Sequence, residues 1–444
     1  MVRRRYLAAV GTLCALVVLD AGAMPLGRSA PDATSTLIFN VPSLESRTAG
    51  AAQTNIDEGL AALRKGDLSA AEKAFSDALS LDPGAPGAYL GLAEVAGRRG
   101  KDADVEAWLR KGLKVSPRNV GLLASLGHWS AMKGRWAEAE RAFAAAAEVA
   151  PQSPKVLTAL GEMYLRRSNT VAKAEATFRK ALAADAHFMP ARLGLARALA
   201  GLGRTKEAES ALEDAMNMAP KDPRPLTVRA HLAASQGHLD EAIKNLDEAI
   251  RIAPGFLPAY LDKGDLQMAK NDPAGAAATY RAGATHAADP VPALFRLGVA
   301  LQADQRWDEA ERAYLEAVKR DPKVFGAYNN LAFMMAERRT NLDKALVWIR
   351  KAAEIAPSSV AVRDTEGWVY RARGDLPRAA AILEEARKLD PKDSSVHYHL
   401  GVVYAEQGRK ANAIAAFKQA LALNPGSRYG PSAREYLERL EGKK

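Results

Sequence analysis

Eleven positions spaced 34 or 35 residues apart carry nothing larger than alanine: Gly59, Ala93, Gly127, Gly161, Ala196, Ala230, Gly264, Gly298, Ala332, Gly367 and Gly401. A second series keeps the same step through Ala71, Val105, Ala139, Ala174, Ala208, Ala242, Ala276, Ala310, Ala345, Ala379 and Ala413. A chain that repeats two small residues at this interval is built of one supersecondary unit used many times. Small side chains at fixed places also mean that backbones approach each other closely there.

The stretch GRWAEAERAFAAAAEVAP, residues 134–151, shows the unit's second half. Ala139, Phe143 and Ala146 fall on one helical face, and Pro151 stops the helix. The same figure recurs at Gly66, Ala71, Phe75, Ala78 and Pro83, and at Gly374, Ala379, Leu383, Ala386 and Pro391. In register, units begin at residues 52, 86, 120, 154, 189, 223, 257, 291, 325, 360 and 394. At 444 residues the chain exceeds the roughly 250 to 300 at which a single core stops growing, so growth along a line is the expected solution.

On these two small-residue series the chain resembles the tetratricopeptide repeat family, a helix-turn-helix array. The resemblance implies an all-α fold, a right-handed superhelical solenoid of about eleven repeats over residues 52–427. Repeat position eight carries the first series, where the two helices cross, and position twenty the second. Larger residues such as Phe143 are expected to fill the seam between neighbouring units. Ala186 and Ala288 replace the usual closing proline, and the fourth and ninth units hold one extra residue near RRSNTVAK and ERRTNLDK. Residues 428–444, with Ala433, Tyr436, Leu437 and Leu440 at helical spacing, read as a capping helix.

The amino-terminal end has a different grammar. Arg3, Arg4 and Arg5 precede an apolar run from Tyr6 to Leu19, and small residues follow at Ala21 and Ala23. That order is a secretory signal peptide over residues 1–23, which leads to an exported, periplasmic protein. The other reading is an uncleaved anchor giving membrane association, for which the run is short of the ~20 residues of a spanning helix. Residues 24–51, with Pro25, Pro31 and Pro42, read as a flexible lead. Cys14 is the only cysteine and lies inside the apolar run, so a processed chain has no thiol and needs no disulfide. The net charge of +10 is spread among alternating acids and bases, as in GRTKEAESALEDA. This is the pattern of solvated helix faces, without the aromatic-studded basic stripe of a nucleic-acid binder.

Catalytic signatures are missing: the sequence has no HExxH, GxxxxGK[ST], GxSxG or paired-cysteine motif. His397 and His399 are two residues apart on one helix and point in divergent directions, so packing is expected of them before metal binding. The expectation is a non-enzyme with no metal and no small-molecule cofactor.

The family likeness implies first helices that line a concave groove through repeat positions two, five, nine and twelve. Position nine runs Leu60, Glu94, His128, Glu162, Arg197, His231, Asp265, Val299, Phe333, Trp368 and Val402, polar in the main to the seventh unit and apolar after it. Phe295, Phe333, Trp368 and Tyr398 are therefore candidate anchors for a protein or peptide partner, with Asn329, Asp364 and Arg371 as directing groups. The alternative is that Phe333 and Trp368 pack the seam between units. No unit combines lysine at position five with asparagine at nine, which the resemblance would require of a chaperone-carboxylate clamp. The stretch from Asn329 to Asp375, with VHYHLGVVYAEQGRKANAIAAF after it, resembles the terminal repeats of exported Gram-negative tetratricopeptide proteins that occur with envelope assembly and exopolysaccharide export. Two functions stay open: an envelope adaptor with a groove, and a structural assembly factor without a discrete peptide site.

Overall fold

The computed structural model describes residues 50–442; the signal segment and most of the proposed flexible lead lie outside them. Among the described residues there are eleven consecutive pairs of α-helices, from Ala51–Lys65 with Leu68–Leu81 to Ser394–Glu406 with Lys410–Leu423, followed by a single helix, Gly430–Glu441. No strand occurs among them. The chain forms two compact units, residues 50–232 and 233–442, and within each the helix pairs pack in chain order. The all-helical, paired architecture is the one the small-residue spacing leads to.

Each unit's core lies between paired helices. All eleven residues at position twenty, from Ala71 to Ala413, are fully buried. The crossing itself differs in one respect from the expected contact of positions eight and twenty. A methyl group added to Gly127 would lie 2.8 Å from the Phe143 ring, and one added to Gly264 would lie 2.3 Å from the Tyr280 ring. The small residue at position eight thus makes room for the large one at position twenty-four of its own repeat. That ring also reaches the next repeat, since Phe75 would be 2.4 Å from a methyl group on Gly91. Aromatic rings stand opposite Gly59, Gly127, Gly161, Gly264, Gly298 and Gly401, whereas Ala93, Ala196, Ala230 and Ala332 are matched with Leu109, Leu212, Leu246 and Ile349. Gly367 with Leu383 is the exception, and there the Ala379 carbonyl oxygen, at 3.2 Å, adds to the crowding.

The turn between paired helices is set by one left-handed residue at position fifteen. Gly66, Gly134 and Gly374 have φ of 78°, 71° and 86°, and Gln305 and Arg339 adopt 60° and 51° at the same place without being glycine. In the fourth repeat the extra residue instead forms a 3-10 turn, Ser168–Thr170, where the buried Thr170 hydroxyl donates to the Tyr164 carbonyl at 2.6 Å. In the ninth, the extra residue goes with a second left-handed position, Asn341, at φ 50°. Second helices of neighbouring repeats are joined on their solvated side. Arg135 donates to both Glu106 oxygens at 3.1 and 2.8 Å, and Arg204 to Glu175 at 2.7 Å.

Candidate functional site

All seven proposed partner-binding residues lie on first helices of the unit spanning 233–442: Val291–Ala303, Phe325–Glu337, Val360–Ala372 and Ser394–Glu406. Each sits where the repeat register puts it, but their surroundings differ. Phe295 is half-buried, its ring 6.1 Å from that of Tyr314. Asn329 is wholly buried, and its amide donates to the Asn330 side chain at 3.3 Å, whose own amide donates to the Tyr314 hydroxyl at 3.2 Å. It belongs to a buried polar chain under the surface. Burial pushes the Tyr314 phenol well above its ordinary range, so this hydroxyl is a permanent donor and acceptor.

The other anchors converge. Phe333 is 2 % exposed, Trp368 5 % and Tyr398 8 %, and all three surround His399, itself 1 % exposed. Trp368 stacks on the imidazole at 4.2 Å, Tyr398 lies 5.6 Å and Phe333 6.3 Å from it. The His399 Nδ1–H donates to the Asp364 carboxylate, 2.8 Å from Oδ1 and 2.9 Å from Oδ2. Asp364 is thereby a partner of His399, and its carboxylate joins the tenth repeat to the eleventh. His399 Nε2 makes no hydrogen bond in the structure. His397 faces elsewhere, with Nε2 2.9 Å from the Pro391 carbonyl oxygen. The two histidines have separate packing roles, as their spacing implies.

Charged groups frame the cluster. The Trp368 indole N–H donates to Glu337, and the Arg371 guanidinium lies over the indole at 4.3 Å while pairing with both oxygens of Glu406. Arg371 therefore ties the tenth repeat to the eleventh across the edge of the aromatic group. Beyond the last pair, Tyr429 stacks on Tyr398 at 4.4 Å and meets the His399 ring edge-on at 5.0 Å. Arg428 lies over Tyr429 at 4.5 Å and over Phe333 at 5.3 Å. Burial raises the Tyr429 phenol's pKa, with the Asp364 and Glu337 charges pushing in the same direction and Arg428 opposing them. Burial also raises Asp393, which the nearby Asp364 charge pushes further up.

Sequence reading gave His399 a packing role without placing it among the anchors, and it missed Glu337, Glu406 and the Arg428–Tyr429 pair. The first three sit at positions six and thirteen of their repeats, outside the four inward positions. The pair lies past the last full repeat, where the 34-residue register has no second copy for comparison. At position nine of earlier repeats, Glu162 pairs with Arg197 and Asp265 with Arg296 of the following repeat, the latter at 3.2 Å, whereas Glu94 pairs with Arg98 of its own helix at 2.7 Å.

Three family models described as tetratricopeptide repeats match the chain, one over residues 56–119, 133–187 and 365–428, a second over 165–232 and 233–294, and a third over 291–324. Similar solved structures include yeast Tom70, at 16% identity and TM-score 0.45 over 88% of this chain and 96% of that one. They also include the APC/C hetero-tetramer Cut9–Hcn1, at 13% and 0.44 over 88% and 96%, and a tetratricopeptide repeat protein from Parabacteroides merdae, at 20% and 0.45 over 56% and 98%. No curated protein matches the chain.

Proposed function

The chain belongs to the tetratricopeptide repeat family, and from that premise we propose that it is a non-catalytic adaptor of the bacterial envelope whose concave face holds a protein partner at repeats eight to eleven. Repeats of this kind are protein-interaction scaffolds, which supports a protein partner. The envelope address rests on the order of charged, apolar and small residues from Arg3 to Ala23, a segment outside the described residues. Among the described residues no helix is long and apolar enough to cross a membrane.

The observation that carries the groove reading is the gathering of Phe333, Trp368 and Tyr398, from three successive first helices, around one imidazole, with Phe295 half-buried one repeat earlier. Aromatic side chains offer large contact area at small entropic cost, and Glu337, Arg371 and Glu406 at their rim supply direction. Phe295 is the accessible anchor. A partner isolated on the wild-type chain from envelope extracts should lose about tenfold or more in affinity for Phe295→Ala, measured below the melting transition of both proteins. Unchanged affinity would remove the groove from the proposal.

The second reading, an assembly factor without a discrete peptide site, is favoured by the low exposure of Phe333, Trp368 and Tyr398. Under it Phe295→Ala binds normally, and affinity is distributed over both units.

A further inference from the structure

The aromatic cluster is covered by a segment that runs past the end of the last repeat. Residues 424–429 connect the last paired helix to the helix Gly430–Glu441, and from this connection Arg428 and Tyr429 reach the ninth and eleventh repeats. Tyr429 lies flat on Tyr398, with an interplanar angle of 13°, and Arg428 donates to the Tyr429 hydroxyl while covering the Phe333 ring. Arg428 is itself exposed, although the ring beneath it is not. An exposed guanidinium over a buried aromatic face can serve as a removable cover, because its charge already faces water and lifting it forfeits a cation–π contact that is weak at an exposed site.

We propose that Arg428 and Tyr429 are a built-in ligand for the inward face of repeats nine to eleven, and that the partner is a protein segment presenting a guanidinium beside an aromatic ring, which takes their place. This rests on the groove reading above and adds to it the partner's chemistry and a self-occupied resting state. Charge complementarity points the same way. Glu337, Asp364 and Glu406 bring three carboxylates to the cluster, against the guanidinium of Arg371. The place filled by Arg428 is therefore a cation's place, with Phe333 as its floor. An acidic segment would meet Glu337 and Asp364 there. As part of the same chain, the resident pair competes at an effective concentration on the order of millimolar, so a free segment binds the intact protein weakly.

The test uses the full chain and one defined probe, a fluorescent peptide of residues 424–433, Asn-Pro-Gly-Ser-Arg-Tyr-Gly-Pro-Ser-Ala. Anisotropy titrations compare wild type with the Arg428→Ala/Tyr429→Ala variant and use as control the same peptide with glutamate in place of its arginine. The expected result is binding to the variant at least about tenfold tighter than to wild type, with the glutamate peptide binding neither. Arg428→Glu alone, altering one exposed side chain, should also open the place through repulsion from Glu337 and Asp364 and bind the probe. Failure of the probe to bind either folded variant overturns the proposal, as does equal binding to variants and wild type. Equal affinity for the glutamate peptide overturns the partner chemistry. The groove reading stands or falls separately, on Phe295→Ala and the natural partner.

Discussion

Trp368 illustrates what a side chain's position in a repeat does and does not determine. By family likeness position nine is an inward position, yet the indole is stacked on His399 and contacted by the Arg371 guanidinium, with its N–H bonded to Glu337. Replacing it by alanine removes a buried aromatic and leaves Glu337 without its donor. Trp368→Ala should therefore destabilise the unit by about 3 to 5 kcal/mol in chemical denaturation, and a loss below about 1 kcal/mol would mean the indole is not packed as described. The spacing identified Phe333, Trp368 and Tyr398 as neighbours on one side because repeat period alone decides that. It was silent on what covers two of them, since Arg428 over Phe333 and Tyr429 on Tyr398 have no periodic counterpart. Asn329, a proposed directing group, is wholly buried, and its link through Asn330 to Tyr314 depends on the ring at position twenty-four, which the four inward positions do not include. A second residue-scale expectation concerns acid stability. Hydrogen bonding from Arg135 outweighs partial burial and, with Arg110, lowers Glu106 from its ordinary 4.5 to about 2. A depressed folded-state pKa gives stability that is present above the unfolded value and lost as pH falls toward the folded one. The melting-temperature gap between wild type and Glu106→Gln should hold at neutral pH and close between pH 4.5 and about 2. A gap that widens in acid would refute the assignment.

At the level of the helix pair, the matching of glycine to aromatic and alanine to aliphatic side chains fills every crossing except that of Gly367 with Leu383. It was readable in the sequence at residues such as Gly127 and Phe143, or Ala93 and Leu109, but only once position twenty-four is paired with position eight. Small residues announce a close approach without saying which atom approaches. The pairing makes a compensation test possible. Gly127→Ala pushes a methyl group to within 2.8 Å of the Phe143 ring and should cost about 1 to 3 kcal/mol. Adding Phe143→Leu reproduces the Ala93–Leu109 pairing, so the double variant should be more stable than the two single losses added together. Strict additivity would show that the two residues do not share the crossing. Damage should remain near the altered repeat, because each pair touches only its neighbours, and hydrogen exchange around residues 120–149 reports that locality. The inter-helix turns carry a second expectation. Arg339 holds φ 51° where most repeats use glycine, and Arg339→Gly should relieve about 1 kcal/mol of backbone strain, read as a higher melting temperature of the unit that contains it.

For the molecule as a whole, the fold was legible because one short pattern is written eleven times, and errors at any single unit are outvoted by the rest. Function was less legible, because the proposed groove rests on departures from the pattern: Phe295, the cluster around His399, and the segment after the last repeat. The export proposal has its own check. Intact mass of the protein recovered from the periplasm should correspond to a start near Met24, and retention of Arg3 to Arg5 would replace cleavage with an anchor. The central claim is that a protein partner is held on the concave side of the carboxy-terminal repeats. Photo-crosslinking in living cells tests it most directly, with a photoreactive phenylalanine analogue at Phe295, at Arg371, or at Val347, which is 59 % exposed on the second helix of the ninth repeat. A partner in the groove gives one discrete adduct shared by positions 295 and 371 and none at 347. An adduct at 347 with none at 295 or 371 would contradict the claim and transfer the interaction to the other face of the repeats.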